Sequence, residues 1–175
     1  MARPLPYHAG MAIPGNPAIS IRLATTSDID EIVRLRWEFS SEDDRRPTES
    51  RESFRARLAA DLASFLASPR WSIWVAEDVA RNGTLLGTVC LERVEKLARP
   101  YPRASAWGYV TNVYVAPSVR NAGLGTRLLQ AAIDAAQREG LEMLLLWPSD
   151  RAVPFYRRLG FEPVDALELP LDRPT

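Results

Sequence analysis

A strand-like run, WGYVTNVYVAP, passes through the hexapeptide RNAGLG (Arg120–Gly125) into a helix-like run, TRLLQAAIDAAQRE. Two glycines at such a junction weaken the helix start unless their missing side chains serve another purpose. The helix is otherwise well specified. Leu128, Leu129, Ala132, Ile133 and Ala136 recur on one face, and Gly140 closes it. An apolar run of buried-strand length, LEMLLLW, follows. Strand, glycine turn, helix and strand describe a β-α-β crossover between parallel strands, which aims the helix N-terminus at whatever lies beyond the end of the first strand.

That placement has chemical consequences. The first turn of a helix carries N–H groups with no intrahelical partner, and the helix dipole adds about half a positive charge there. Such an end binds phosphate readily. Gly123 and Gly125 would let the backbone approach an anion closely, and Arg120 would add a full charge and paired hydrogen bonds. The better-known phosphate loops fit poorly. A P-loop needs Gly-Lys-Ser/Thr where this chain has Gly125-Thr126-Arg127, and the dinucleotide fingerprint needs a glycine where Leu128 stands. On the residues alone, RNAGLG is either a pyrophosphate cradle or no more than a tight strand-to-helix turn.

The remaining pattern surrounds this unit. Residues 1–18 hold four prolines and two glycines and read as an irregular arm. ISIRLA predicts a first strand, and TTSDIDEIVRLRWEFS a capped helix with Ile29, Ile32, Val33 and Trp37 on one face. A second helix carries Phe54, Leu58, Leu62, Phe65 and Leu66 as its stripe, with Thr48 as cap and Glu49 in its first turn. WSIWVAED and LLGTVCLERV predict strands joined through Asn82-Gly83, a hairpin signal. DRAVPFYRRLG predicts a short helix stopped by Gly160, and FEPVDALEL one or two final strands. The expected fold is α/β (α+β): a mixed central sheet of six to seven strands flanked by about four helices, over a single domain at 19–175.

Composition removes several function classes. Lys plus Arg balance Asp plus Glu at 22 each, unlike a dedicated nucleic-acid binder. Cys90 is the only cysteine and His8 the only histidine, which excludes an internal disulfide and a classical zinc site. No apolar run has the roughly 20 residues of a membrane span, and the first residues lack a signal-peptide pattern, so a cytoplasmic protein without membrane or nucleic-acid partners is expected.

The segment YVAPSVRNAGLGTRLL resembles the acyl-CoA signature of the GCN5-related N-acetyltransferase (GNAT) superfamily, Arg/Gln-x-x-Gly-x-Gly/Ala, with Arg120, Gly123 and Gly125 filling it. SDRAVPFYRRLGFEP is similar to a second motif of that superfamily, through Ala152, Phe155-Tyr156 and Gly160-Phe161. One helix and one apolar strand separate the two motifs, as in the family, and the element order from Ile19 onward agrees.

The resemblance implies transfer of an acetyl group from acetyl-CoA, without a metal, to the amine of a small molecule by direct attack. The alternatives are a protein or peptide acceptor, or a non-catalytic acetyl-CoA sensor. It assigns the pyrophosphate to the backbone of Arg120, Asn121, Ala122, Gly123, Leu124, Gly125 and Thr126. It assigns the thioester carbonyl to backbone groups of Val113, Tyr114 and Val115, and makes Tyr156 the acid for the departing thiolate. Ser149 stands where the family often has an asparagine on the cofactor arm. Thr111 stands where many members have a glutamate base, and its neighbour Asn112 is no base either. Glu92 and His8 are weak substitutes, so the base is unassigned. The acidic loop with Glu42, Asp43 and Asp44 and the basic loop with Arg99, Tyr101 and Arg103 point to acceptors of opposite charge. Trp107 is a further candidate for the acceptor pocket. Many relatives pair through late strands, so a homodimer is possible.

Overall fold

A computed structural model describes residues 19–42, 47–81, 83–98, 100, 106–169 and 171. The N-terminal arm with His8, and Asp43, Asp44, Asn82, Arg99, Tyr101 and Arg103, lie outside the described residues. The chain forms β1 (Ile19–Leu23), α1 (Ile29–Ser41), α2 (Arg51–Ala67), β2 (Trp71–Asp78), β3 (Thr84–Glu95), β4 (Ala106–Val115), α3 (Leu124–Arg138), β5 (Leu144–Leu145) and α4 (Val153–Arg157). The strands make one sheet in the order β1-β2-β3-β4-β5. The first three pairings are antiparallel and β4–β5 is parallel, as the crossover around α3 requires.

Side-chain alternation gives the sheet two apolar faces. On one, α1 and α2 set Ile32, Leu35 and Leu62 against Ile73, Val75, Leu85, Cys90 and Tyr114. On the other, Leu124, Leu128, Leu129 and Ala132 of α3 cover Trp74, Ala76, Val89, Leu91 and Val110. The three predicted helical stripes therefore pack into these clusters, except Trp37 of α1, which meets Phe54 of α2. The start of α2 differs from expectation. Ser50, not Thr48, is its cap, accepting from Ser53 N at 3.1 Å, and Glu49 lies before the helix, paired with Arg57.

The sheet has five strands among the described residues rather than six to seven. LEMLLLW yields only the two residues Leu144 and Leu145, and 162–169 forms no strand. The reason is an edge: β5 is too short to template another strand. Val164, Leu167 and Leu169 accordingly stand exposed.

The register of β4 is the feature that shapes the site. Thr88 faces Tyr114 and Cys90 faces Thr111, so Val89 alone opposes two residues, Asn112 and Val113. This is a β-bulge, and Asn112 adopts φ 51°, a left-handed conformation that asparagine tolerates better than most residues. Gly87 lies beside it. A Cβ there would stand 2.7 Å from the Tyr114 carbonyl oxygen and 2.9 Å from Leu128 Cδ1. We expect Gly87→Ala to destabilise the fold by about 1–3 kcal/mol, because backbone rather than a loose side chain must yield. Urea denaturation checks this; an unchanged midpoint would show that the bulge is free to shift.

Candidate functional site

After Gly108–Leu144 and Tyr109–Leu145, β4 and the chain following β5 cease to pair. Between them opens a cleft of about 1000 Å³. Val110–Val115 line one wall, and Leu146–Ser149 with Phe155 and Tyr156 the other. The turn before α3 lines it as well, and Arg36, Phe39 and Glu42 reach it from α1.

The turn is built for an exposed helix end. Pro117–Val119 form a single 3-10 turn, Asn121 takes φ 61°, and Gly123 caps α3 at φ 80°. The first return hydrogen bond is Arg127 N to Gly123 O, 3.1 Å. Among the described residues, no N–H from Asn121 to Thr126 donates to a backbone carbonyl. Asn121, Gly123, Leu124, Gly125 and Thr126 line the cleft, and Ala122 does not. These donors and the helix dipole put partial positive charge at the mouth of the cleft. A Cβ at Gly125 would make ordinary contacts with the Phe155 ring at 3.5 Å and Val115 Cγ2 at 3.6 Å.

The guanidinium of Arg120 is committed to protein groups. Its Nε donates to Val115 O at 2.8 Å, its plane lies 5.5 Å from the centre of the Tyr114 ring, and it pairs with Glu42. The second Glu42 oxygen takes Arg151 at 3.2 Å. Burial alone would push the Glu42 carboxyl up, but hydrogen bonding and charge from Arg120, helped by Tyr114 and Arg151, hold it below its ordinary value. The Tyr114 phenol is pushed up to about 12 by burial and by the Glu42 charge. Glu42 thus ties the end of α1 to the phosphate turn and to the segment after Ser149.

Strand alternation separates the three expected β4 residues. Ala116 N donates to Leu86 O at 2.8 Å, and the Tyr114 carbonyl faces Gly87, so both turn towards β3. Val115 O is turned to the cleft, where Arg120 occupies it, and Val113 shares its side by alternation. Tyr114 contributes its ring, stacked 5.3 Å from Phe39, rather than its backbone. Ser149 lines the opposite wall with its hydroxyl free of capping duty. Tyr156 stands on α4 between the edges of Phe155 and Phe161, at 5.1 and 5.7 Å. Burial pushes its phenol up, and the hydroxyl has no hydrogen-bond partner among the described residues.

Other candidates resolve plainly. Thr111 and Asn112 line the cleft. Glu92 does not; it pairs with Arg70 at 2.9 Å. Trp107 is also absent from the lining, whereas Trp147, packed edge-on to Tyr109 at 5.2 Å, is part of it. Sequence reasoning missed Arg36, Phe39, Trp147, Arg151 and Arg158, all of which line the cleft. One signal was available. Arg36 falls four residues after Ile32 and three before Phe39, a cation within an apolar helical track. Among the described residues, no helix is long and apolar enough to cross a membrane, and no group of three His, Cys, Asp or Glu is placed to hold a metal ion.

Residues 29–161 match the acetyltransferase (GNAT) family. A glucosamine 6-phosphate N-acetyltransferase of Trypanosoma brucei brucei is 33% identical over 80 residues, 46% of this chain and 52% of that protein. The matching part thus spans about half the length of that curated relative. Similar crystal structures include a GCN5-related N-acetyltransferase from Ralstonia eutropha, with TM-score 0.72 and 25% identity over 87% of this chain and 98% of that one. An acetyltransferase from Clostridium acetobutylicum, crystallised with acetyl-CoA, shares the fold at TM-score 0.72 and 24% identity, over 87% and 96% of the two chains.

The two glycines of the turn are separable by experiment. Gly123→Ala should cost about 1–2 kcal/mol, since an L side chain is strained at its left-handed φ. Gly125→Ala, inside α3, should leave stability unchanged or raise it by up to about 1 kcal/mol. Chemical denaturation of both variants checks the contrast; equal losses would mean that the turn, not the φ, is sensitive.

Proposed function

Because the chain belongs to the acetyltransferase (GNAT) family, we propose that it moves an acetyl group from acetyl-CoA to the amine of a small molecule, which attacks the thioester directly. One observation carries this reading: unpartnered amides at the start of α3 open into the same cleft that Tyr156 enters from the other wall.

The residues fit the cosubstrate. The N–H groups of Asn121–Thr126 would bind the pyrophosphate, with Arg120 holding the turn in shape rather than contacting the anion. The strand edge at Val113 and Val115, left without a neighbouring strand, together with the Ser149 hydroxyl, would meet the amide groups of the pantetheine arm and the thioester carbonyl. A fixed N–H there stabilises charge growing on that oxygen during attack. Tyr156 would then donate its proton to the departing thiolate. Its burial suits that role, since a phenol pushed above its ordinary value stays protonated throughout the neutral range.

Acetyl-CoA at a hundredfold excess over Kd should stabilise the protein by about 2.7 kcal/mol, a midpoint rise of roughly 5–11 °C. A thermal-shift titration should show the rise with acetyl-CoA and CoA but little with ATP or NADH; no rise at saturation would end the transferase reading.

In turnover with an amine panel, Tyr156→Phe should lower kcat by about a hundredfold or more while leaving the KM for acetyl-CoA unchanged. Because its pKa is raised, the contribution of Tyr156 should persist through neutral pH and fade only above the ordinary tyrosine value of about 10. Unchanged turnover in the variant would remove Tyr156 from the mechanism.

A further inference from the structure

Arg36 stands apart from the other charged groups of the cleft. It leaves α1 six residues before Glu42, about 9 Å along the helix axis. Glu42 lies level with Arg120 and the phosphate turn. Arg36 instead lies near the bulge: its charge is felt at the Cys90 sulfur, which faces Thr111 across β3 and β4 and accepts from Asn112 Nδ2 at 3.7 Å. On the proposed reading, that is the level at which acetyl group and amine meet.

The charges around it are unbalanced. Of the described residues lining the cleft, four are arginines, Arg36, Arg120, Arg151 and Arg158, and one is a carboxylate, Glu42. Glu42 is taken by Arg120 and Arg151. Among the described residues, Arg36 has no carboxylate partner and no hydrogen-bond acceptor; its guanidinium carbon lies over the Phe39 ring, 5.1 Å from the centroid. The ring contact leaves the guanidinium N–H groups without an acceptor among the described residues. The planar edge of a guanidinium matches a carboxylate or a phosphate with two parallel hydrogen bonds. Thr111 adds no negative charge beside it. A purely cationic amine entering here meets unopposed positive charge, whereas an amine with its own anion meets a complementary field.

We propose that Arg36 binds an anionic group, carboxylate or phosphate, on the acceptor, so that the amines this protein acetylates carry a negative charge of their own. The inference rests on the transferase reading above and narrows its substrate class.

Matched acceptors test it. O-phosphoethanolamine against ethanolamine, and β-alanine against 3-aminopropan-1-ol, differ in the anion and keep a primary alkylamine. The full-length protein should show kcat/KM at least about tenfold higher for the anionic member of a pair. Arg36→Gln should raise KM for the anionic amines by about ten- to a hundredfold, with the KM for acetyl-CoA unchanged and the rates with the anion-free amines not reduced. Arg36→Lys should restore part of the loss, because it keeps the charge without the fork. Titration of the anionic amines into the CoA-loaded protein gives a readout that needs no turnover. Equal use of both members of each pair, or a loss in Arg36→Gln shared by neutral amines, overturns the inference. So does a failure of every anionic amine to bind or react while acetyl-CoA binds, and the transferase reading then stands. If acetyl-CoA itself does not bind, both fall.

Discussion

Two residues of parallel pairing between β4 and β5 govern everything that follows them in the chain. At Gly108 the strands approach closely: a Cβ there would stand 2.5 Å from Leu144 Cδ2 and 2.7 Å from Leu91 Cδ1. One step later, Tyr109 is the last paired residue, and its ring meets Trp147. Beyond that point β4 keeps its partner β3 on one edge and has no strand on the other. A strand edge inside a fold is costly unless its N–H and C=O groups find other partners. Arg120 meets the Val115 carbonyl. The rest of the edge faces an open cleft, and a molecule with its own amides answers that edge as a strand would.

The fold's strongest charged contacts fix α1 across this cleft. At its start, Arg22 donates to both Asp28 oxygens at 2.7 and 2.8 Å and to Glu77 at 2.6 Å, and Thr25 N donates to Asp28 at 2.7 Å. Burial would push the Asp28 carboxyl up, but these bonds hold it below its ordinary range. In the middle, Arg34 donates to Leu85 O at 2.7 Å and Glu31 accepts from Leu85 N at 3.1 Å, joining the helix to β3. At its end, Glu42 holds Arg120 and Arg151. A helix held at both ends and at its centre has little freedom to roll, so Arg36 and Phe39 are presented to the cleft in a fixed direction. The charges thus serve as struts, and the uncharged backbone amides at the start of α3 are left open to the cleft.

How much of this was legible follows from where each signal resides. The α3 stripe, the strand before it and the Gly123 turn are local patterns of period 3.6, period 2 and left-handed φ, and the structure follows them closely. The five-stranded sheet falls short of six to seven because strand formation needs a partner edge, and Leu167 and Leu169 advertise an apolar face without any record of what it could pair with. RNAGLG marks where an anion is expected, but that Arg120 in the same six residues serves the loop was not legible, because its partner Glu42 lies 78 positions away. Arg36 shows the same limit from the other side. Its place in an apolar track was visible, but only the tertiary structure shows that this part of the track overlooks a cleft rather than the core.

The proposed chemistry also explains why the missing carboxylate at Thr111 need not stop the reaction. An alkylamine with pKa near 10.4 is about one part in a thousand neutral at pH 7.4, a penalty of about 4 kcal/mol. The α-amino group of a peptide, near 7.8, is roughly one quarter neutral and its penalty is under about 1 kcal/mol, whereas an anion beside the amine strengthens its hold on the proton. Glu42 cannot serve as base while two arginines hold it below its ordinary value, and no other carboxylate lines the cleft among the described residues. The proton must then leave the acceptor before or during binding, and the cost is set by the acceptor's own pKa. Donor and acceptor are therefore handled differently. On the proposed reading, the thioester side is organised in advance by fixed amides and a buried phenol, while on the amine side the cleft supplies only charge, favouring molecules that arrive with an anion.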